Sequence, residues 1–167
     1  LLDKGWVLLT DLYFQDENYQ KASYYISKAL KIDENNALYW RKYSEINLKL
    51  NFYEEVLVGY KNCLSLNDDA LEVFVGLTDM LSFLGNFKEA KKWMLKAQEI
   101  YTDFAEISYR IAGLSFILNN ENVGYNQLIA ALKTDFEYHT ILKELYPTVY
   151  ENEKVQKLLI DFKKAME

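Results

Sequence analysis

The sequence predicts an all-helical array of stacked helix pairs, on three observations. Apolar and small residues recur every 34 positions, as in Trp6, Trp40 and Phe74, or Ala29, Cys63, Ala97 and Ala131. An internal period of that length marks one repeated supersecondary unit whose apolar face is buried only by stacking on its neighbours. One proline and six glycines in 167 residues favour long helices over a turn-rich sheet fold. Within each period, apolar residues spaced three and four apart draw helical stripes interrupted by helix-ending residues.

The elements follow in chain order. The first helix of each pair carries a stripe: Trp6, Leu9 and Tyr13, then Trp40, Tyr43 and Asn47, then Phe74, Leu77 and Leu81, then Ser108, Ile111 and Ser115. Beside it run the small residues Thr10, Ser44, Thr78 and Ala112. The second helix carries Ala22, Val56, Ala90 and Gly124, with the larger series Ile26, Tyr60, Met94 and Leu128. Large residues on one helix can then sit over small ones on its partner, which specifies how the pair packs. Gly59, Gly76, Gly113 and Gly124 fall inside helical stretches and fit the same close packing. Breaks at Asp16–Asn18, Asn51, Gly85 and Asn119 suit left-handed helix ends. Breaks near Asp33–Asn36, Asn67–Asp69, Thr102–Asp103 and Thr134–Asp135 offer short polar side chains to cap the next helix. Helices of about 12 to 15 residues result.

These positions resemble the tetratricopeptide repeat family. The first unit matches its pattern with Trp6, Leu9, Thr10, Tyr13, Ala22, Ile26 and Ala29, and the third with Phe74, Leu77, Thr78, Leu81, Gly85, Ala90, Met94 and Ala97. The resemblance implies a right-handed superhelix in a single domain over residues 1–167, with repeats at about 3–36, 37–70, 71–104 and 105–138. The units are degenerate: the proline that commonly closes a repeat is replaced by Glu34, Asp68, Thr102 and Phe136. Register fails after His139, with Tyr146 where a small residue belongs and Pro147 breaking the next helix. Val155, Leu158, Leu159, Phe162 and Met166 form one stripe, so residues 148–166 are expected to be a terminal helix capping the stack, at the end of an irregular segment spanning 139–167. The chain opens at Leu1, almost directly into the first repeat, which suggests a fragment of something longer.

No residue constellation points to catalysis. Cys63 stands where other units have alanine and reads as a packing thiol; His139, the single histidine, reads as a surface or cap residue. One cysteine and one histidine cannot build a Cys/His metal site, and no glycine-rich phosphate loop is present, so no metal or cofactor is expected. A net charge of −6, from 19 basic and 25 acidic residues with no basic stripe, argues against nucleic acid. A pentatricopeptide-like RNA reader is disfavoured on the same ground. No apolar run reaches the roughly 18 to 20 residues of a membrane span. Cysteine usage fits a reducing compartment, and the cytoplasm is the expected location.

The function expected is a non-catalytic module that binds a protein, as a peptide or helix, in a concave groove. The groove candidates are Asp11, Arg41, Glu45, Glu72, Val75, Asp79, Phe83, Tyr109 and Phe116, with the third and fourth units favoured for their apolar area. Asp11, Glu45 and Asp79 share one repeat position and would form an acidic row suited to a basic partner with apolar anchors. Against this, Arg41, Glu45 and Lys49 can neutralise one another along one helix, as can Glu106 and Arg110. The family's clamp for chaperone carboxylates fails here at Val7, Asp11, Lys42, Glu72 and Gly76. A structural spacer or self-association domain, and a sensor of small cationic ligands, are the alternatives.

Overall fold

The computed structural model describes residues 1–166, and among them the chain is helical throughout, without strands. Two compact units divide it, Leu1–Leu84 and Gly85–Glu167. The first holds α1 (Leu2–Gln15), α2 (Tyr19–Leu30), α3 (Ala37–Lys49), α4 (Tyr53–Ser65) and α5 (Leu71–Phe83). The second holds α6 (Phe87–Ile100), α7 (Ala105–Ile117), α8 (Glu121–Thr134), α9 (Ile141–Leu145), α10 (Pro147–Tyr150) and α11 (Glu153–Met166), with a 3-10 turn at Glu137–Thr140.

The hairpins α1/α2, α3/α4 and α7/α8 are closed by the three-residue turns 16–18, 50–52 and 118–120. In each, the middle residue is left-handed: Glu17 (φ 57°), Asn51 (φ 60°) and Asn119 (φ 58°), with Gly85 (φ 78°) at the same repeat position. The turn closes by backbone bonds five residues back, Asn18 N–H to Tyr13 O, Phe52 N–H to Asn47 O and Asn120 N–H to Ser115 O, at 2.8 to 2.9 Å. They occupy carbonyls that a helix end leaves orphaned. Asn and Gly accept that backbone conformation easily; Glu17 does not, and its presence there was not legible in its residue type.

The caps expected ahead of α3, α5 and α7 do not form. These helices begin after Asn36, Ala70 and Phe104, none of which accepts a side-chain capping bond. Polar residues before them are used elsewhere: the Asp33 carboxylate accepts from Asn35 N–H, and that of Asp68 from Arg41. After α8 the expected cap does form, Asp135 Oδ1 accepting from Tyr138 N–H in the 3-10 turn. Side-chain caps occur at Asn18, which accepts from Lys21 N–H at 3.2 Å, and at Asn152, which accepts from Lys154 N–H at 3.0 Å. The second explains why the terminal stripe is not one helix over 148–166. Pro147 opens α10 with its missing N–H where no donor is needed, and Asn152 restarts the chain as α11.

The small-residue series form the crossing points of the pairs. Thr10, Ser44, Thr78, Ala112, Ala22, Val56, Ala90, Ala29, Cys63, Ala97 and Ala131 are all buried. The tightest crossing joins α3 to α4: a Cβ placed on Gly59 would lie 2.0 Å from Ser44 Oγ and 2.9 Å from the Trp40 carbonyl oxygen. Ser44 Oγ itself donates to Val56 O at 3.0 Å, so both helices meet through backbone at that level. Cys63 is fully buried, donates weakly to Ala37 O, and burial pushes its thiol up to about 12. The thiol is a packing group held neutral. No helix among the described residues is long and apolar enough to cross a membrane.

Two stability tests follow from this geometry. Gly59→Ala must move the α3 backbone and is expected to destabilise by about 1–3 kcal/mol, whereas Gly5→Ala, with nothing within 4 Å, should stabilise α1 by roughly 0.5–1 kcal/mol. Urea melts of the two variants read both signs. Replacing Glu17 by Gly should raise the melting temperature by relieving the left-handed strain, a gain of about 1 kcal/mol; an unchanged melt would mean that the turn carries no such strain.

Candidate functional site

The candidate residues on α1, α3 and α5 fall into three local arrangements. In the first, Lys42 on α3 reaches back to α1, its Nζ 2.5 Å from Asp11 Oδ1, across a small crevice lined by Thr10, Phe14, Glu45 and Ile46. Asp11 is therefore paired with a residue one position beyond Arg41. In the second, Arg41 does not turn toward Glu45 or Lys49. Its guanidinium grips both carboxylate oxygens of Asp68, in the loop before α5. Those hydrogen bonds hold the Asp68 carboxyl below the usual carboxylate range and raise Arg41, to which Glu72 also adds. Arg41 thus staples α3 to the α4–α5 loop, and no ion pair among the described residues joins it to Glu45.

The third arrangement gathers the acidic row. Tyr60 of α4 lays its ring against Gly76 of α5, where a Cβ would come within 2.6 Å of its Cζ. Its hydroxyl is raised above the ordinary tyrosine value, first by burial and then by the carboxylates of Glu45 and Asp79. Both carboxylates therefore act on one phenol, on a face where Val75 is half-buried and Glu45, Glu72 and Asp79 are exposed. Phe83, 68% exposed, closes α5 with its ring edge-on to Tyr53 at 5.0 Å.

The fourth repeat departs from expectation. Tyr109 is fully buried and its hydroxyl donates to Asp135 O at 2.7 Å; burial raises it far above the ordinary value. Phe116 turns into the α7/α8 crossing, with ring atoms 3.0 Å from where Gly124 would carry a Cβ and its edge against Tyr125 at 4.9 Å. Phe116 stays half-buried, with part of its ring given to the crossing. Tyr109 is not available as an open contact surface, and its placement in the groove is corrected. The cause is the segment after α8. Tyr146, 4% exposed, lies over Gly113, its Cδ2 2.1 Å from a Cβ built there. Tyr138 donates to Glu106 Oε2 at 3.0 Å, while Arg110 Nε pairs with Glu106 Oε1 at 2.9 Å, the i,i+4 neutralisation that the spacing allowed.

Sequence reasoning missed three residues that shape this surface: Lys42, Tyr60 and Tyr146. For the last, two signals stood in the sequence. Gly113 interrupts the acidic repeat position, and Tyr146 occupies a position kept small in every other unit. A vacancy and a surplus of volume answered each other. His139 is half-buried between the rings of Phe136 and Tyr150, its Nδ1 2.7 Å from Phe136 O.

Comparison with known proteins agrees with this architecture. A tetratricopeptide repeat family model matches residues 4–36 and 72–104, the first and third units. No curated protein matches the chain. Among solved structures, the crystal structure of MamA superposes with a TM-score of 0.77 at 13% identity, over 97% of this chain and 88% of that one. MamA 41-end from Desulfovibrio magneticus RS-1 gives 0.68 at 12% identity, over 99% and 97%. YrrB, described as a TPR protein with an unusual peptide-binding site, gives 0.72 at 15% identity, over 94% and 80%. At these identities the likeness is one of fold. Tetratricopeptide repeats are thus matched in the first and third units, and helix pairs recur at the same period around them.

Proposed function

We propose that this chain is a non-catalytic protein-interaction module that binds a basic peptide or helix with apolar anchors on the face formed by α1, α3 and α5. Tetratricopeptide-repeat proteins generally mediate protein–protein contacts, and YrrB is named for a peptide-binding site. The observation that carries the reading is Glu45. It is exposed, Arg41 has been drawn away to Asp68, and together with Asp79 it raises the Tyr60 hydroxyl. A basic side chain seated there would relieve the repulsion, while Val75 and Phe83 offer apolar contact; charge would set orientation and the apolar residues most of the affinity.

A second reading, a structural spacer or self-association domain, draws on α1. Leu8 and Leu12 are 66% and 57% exposed, whereas the residues one, two and three repeats beyond Leu12, namely Ile46, Met80 and Leu114, are buried. The stripe that later units bury is thus open in the first, and an open apolar stripe favours contact with another helix.

Two measurements separate the readings. Fluorescence anisotropy with a labelled Lys/Arg-rich peptide carrying Leu and Phe should show binding that Glu45→Lys/Asp79→Lys weakens about tenfold, as several exposed charge pairs together allow. Equal affinity would remove the acidic face from the account. Sedimentation velocity on the wild type should show a concentration-dependent mass, abolished by Leu8→Ser/Leu12→Ser, if the open stripe of α1 is the working surface instead.

A further inference from the structure

The second unit carries a groove of opposite charge that none of the above uses. On α6, Lys88, Lys91, Lys92 and Leu95 are spaced three and four residues apart and share one face. They line a groove of about 920 Å³ whose other wall is the α7–α8 turn, with Leu118 and Asn120. Three ammonium groups stand there against one carboxylate, that of Glu89. No ion pair among the described residues engages any of the three lysines. This concentration is local: the whole chain is at −6, and residues 1–84 hold eight basic against thirteen acidic side chains.

We infer that this groove docks an acidic segment with apolar anchors, a peptide or helix from a partner protein presenting Asp/Glu beside Leu or Phe. Leu95 and Leu118, both more than a third exposed, offer an apolar floor with room for a partner's side chain. The lysines lie along the same helix face, where long stems can lie over apolar surface while the ammonium groups meet carboxylates at the rim. A free anion would gain little, because lysines on flexible stems form point charges and no fork of donors closes around it. A flat anionic bilayer meets the wrong shape, since the two leucines line a groove between α6 and the α7–α8 turn and not a flat patch. The site lies on another helix from the acidic face and selects the opposite charge, so its occupant is a different ligand.

The test uses the whole chain and three probes. These are a labelled Glu/Asp-rich peptide with Leu and Phe at three- and four-residue spacings, the same peptide with Ser in place of Leu and Phe, and phosphatidylserine vesicles. The apolar acidic peptide is expected to bind, and Lys88→Glu/Lys91→Glu/Lys92→Glu to weaken it about tenfold or more at unchanged helicity, with a steep loss on adding salt. Leu95→Ser, which leaves every charge in place, should weaken it as well and answers the question if the triple variant misfolds. The peptide failing to bind, the Ser peptide binding as well, the variants binding like wild type, or the vesicles competing for the same lysines would each overturn the inference.

Discussion

Two helices can lie with their backbones nearly in contact only where the side chains at the crossing are small, and each hairpin here depends on that. At the α3/α4 crossing the space for one methyl group is already taken by Ser44 Oγ and the Trp40 carbonyl. Because helices approach so closely, turns of three residues suffice to join them, and the left-handed residue in the middle of each turn follows from the need to reverse direction in so few steps. The large residues then have nowhere to go but over the small ones of the partner helix. Ile26, Met94 and Leu128 become fully buried, while Tyr60 is half-buried.

The same packing decides which charges remain available to a partner. Lysine and arginine side chains are long, and Arg41 and Lys42, adjacent in sequence, leave α3 toward Asp68 and Asp11 respectively. Each thereby ties its helix to a neighbouring segment and spends its charge locally. What is left on the α3/α5 surface is set by which basic residues the neighbouring loops and helices withdraw.

The fold was largely legible because its determinants are periodic: small, large and left-handed positions each repeat, and the buried residues Thr10, Ser44, Thr78 and Ala112 could be read from spacing alone. Helix starts were less legible, since Asn36 and Asp135 both have short polar side chains, yet Asn36 caps nothing ahead of α3 while Asp135 accepts from Tyr138 N–H after α8. The site was legible only in part. Asp11, Glu45, Glu72, Asp79 and Phe83 lie where an exposed first-helix surface was expected, but their pairing depends on rotamers and on contacts distant in sequence. Tyr109 was misplaced because periodicity assumes that equivalent positions have equivalent neighbours. The last unit breaks that assumption, for its neighbour is a broken helix carrying a tyrosine in place of a small residue.

The ring of Tyr146 over Gly113 also sets a length scale. The repeat position that holds Asp11, Glu45 and Asp79 is occupied at its fourth occurrence by a glycine already roofed over, so the acidic series ends after three members. Three helices packed about 10 Å apart place the outer two roughly 20 Å from each other. An extended chain covers that distance in about six residues. Under the proposed reading, an acidic face of three members matches a short linear motif.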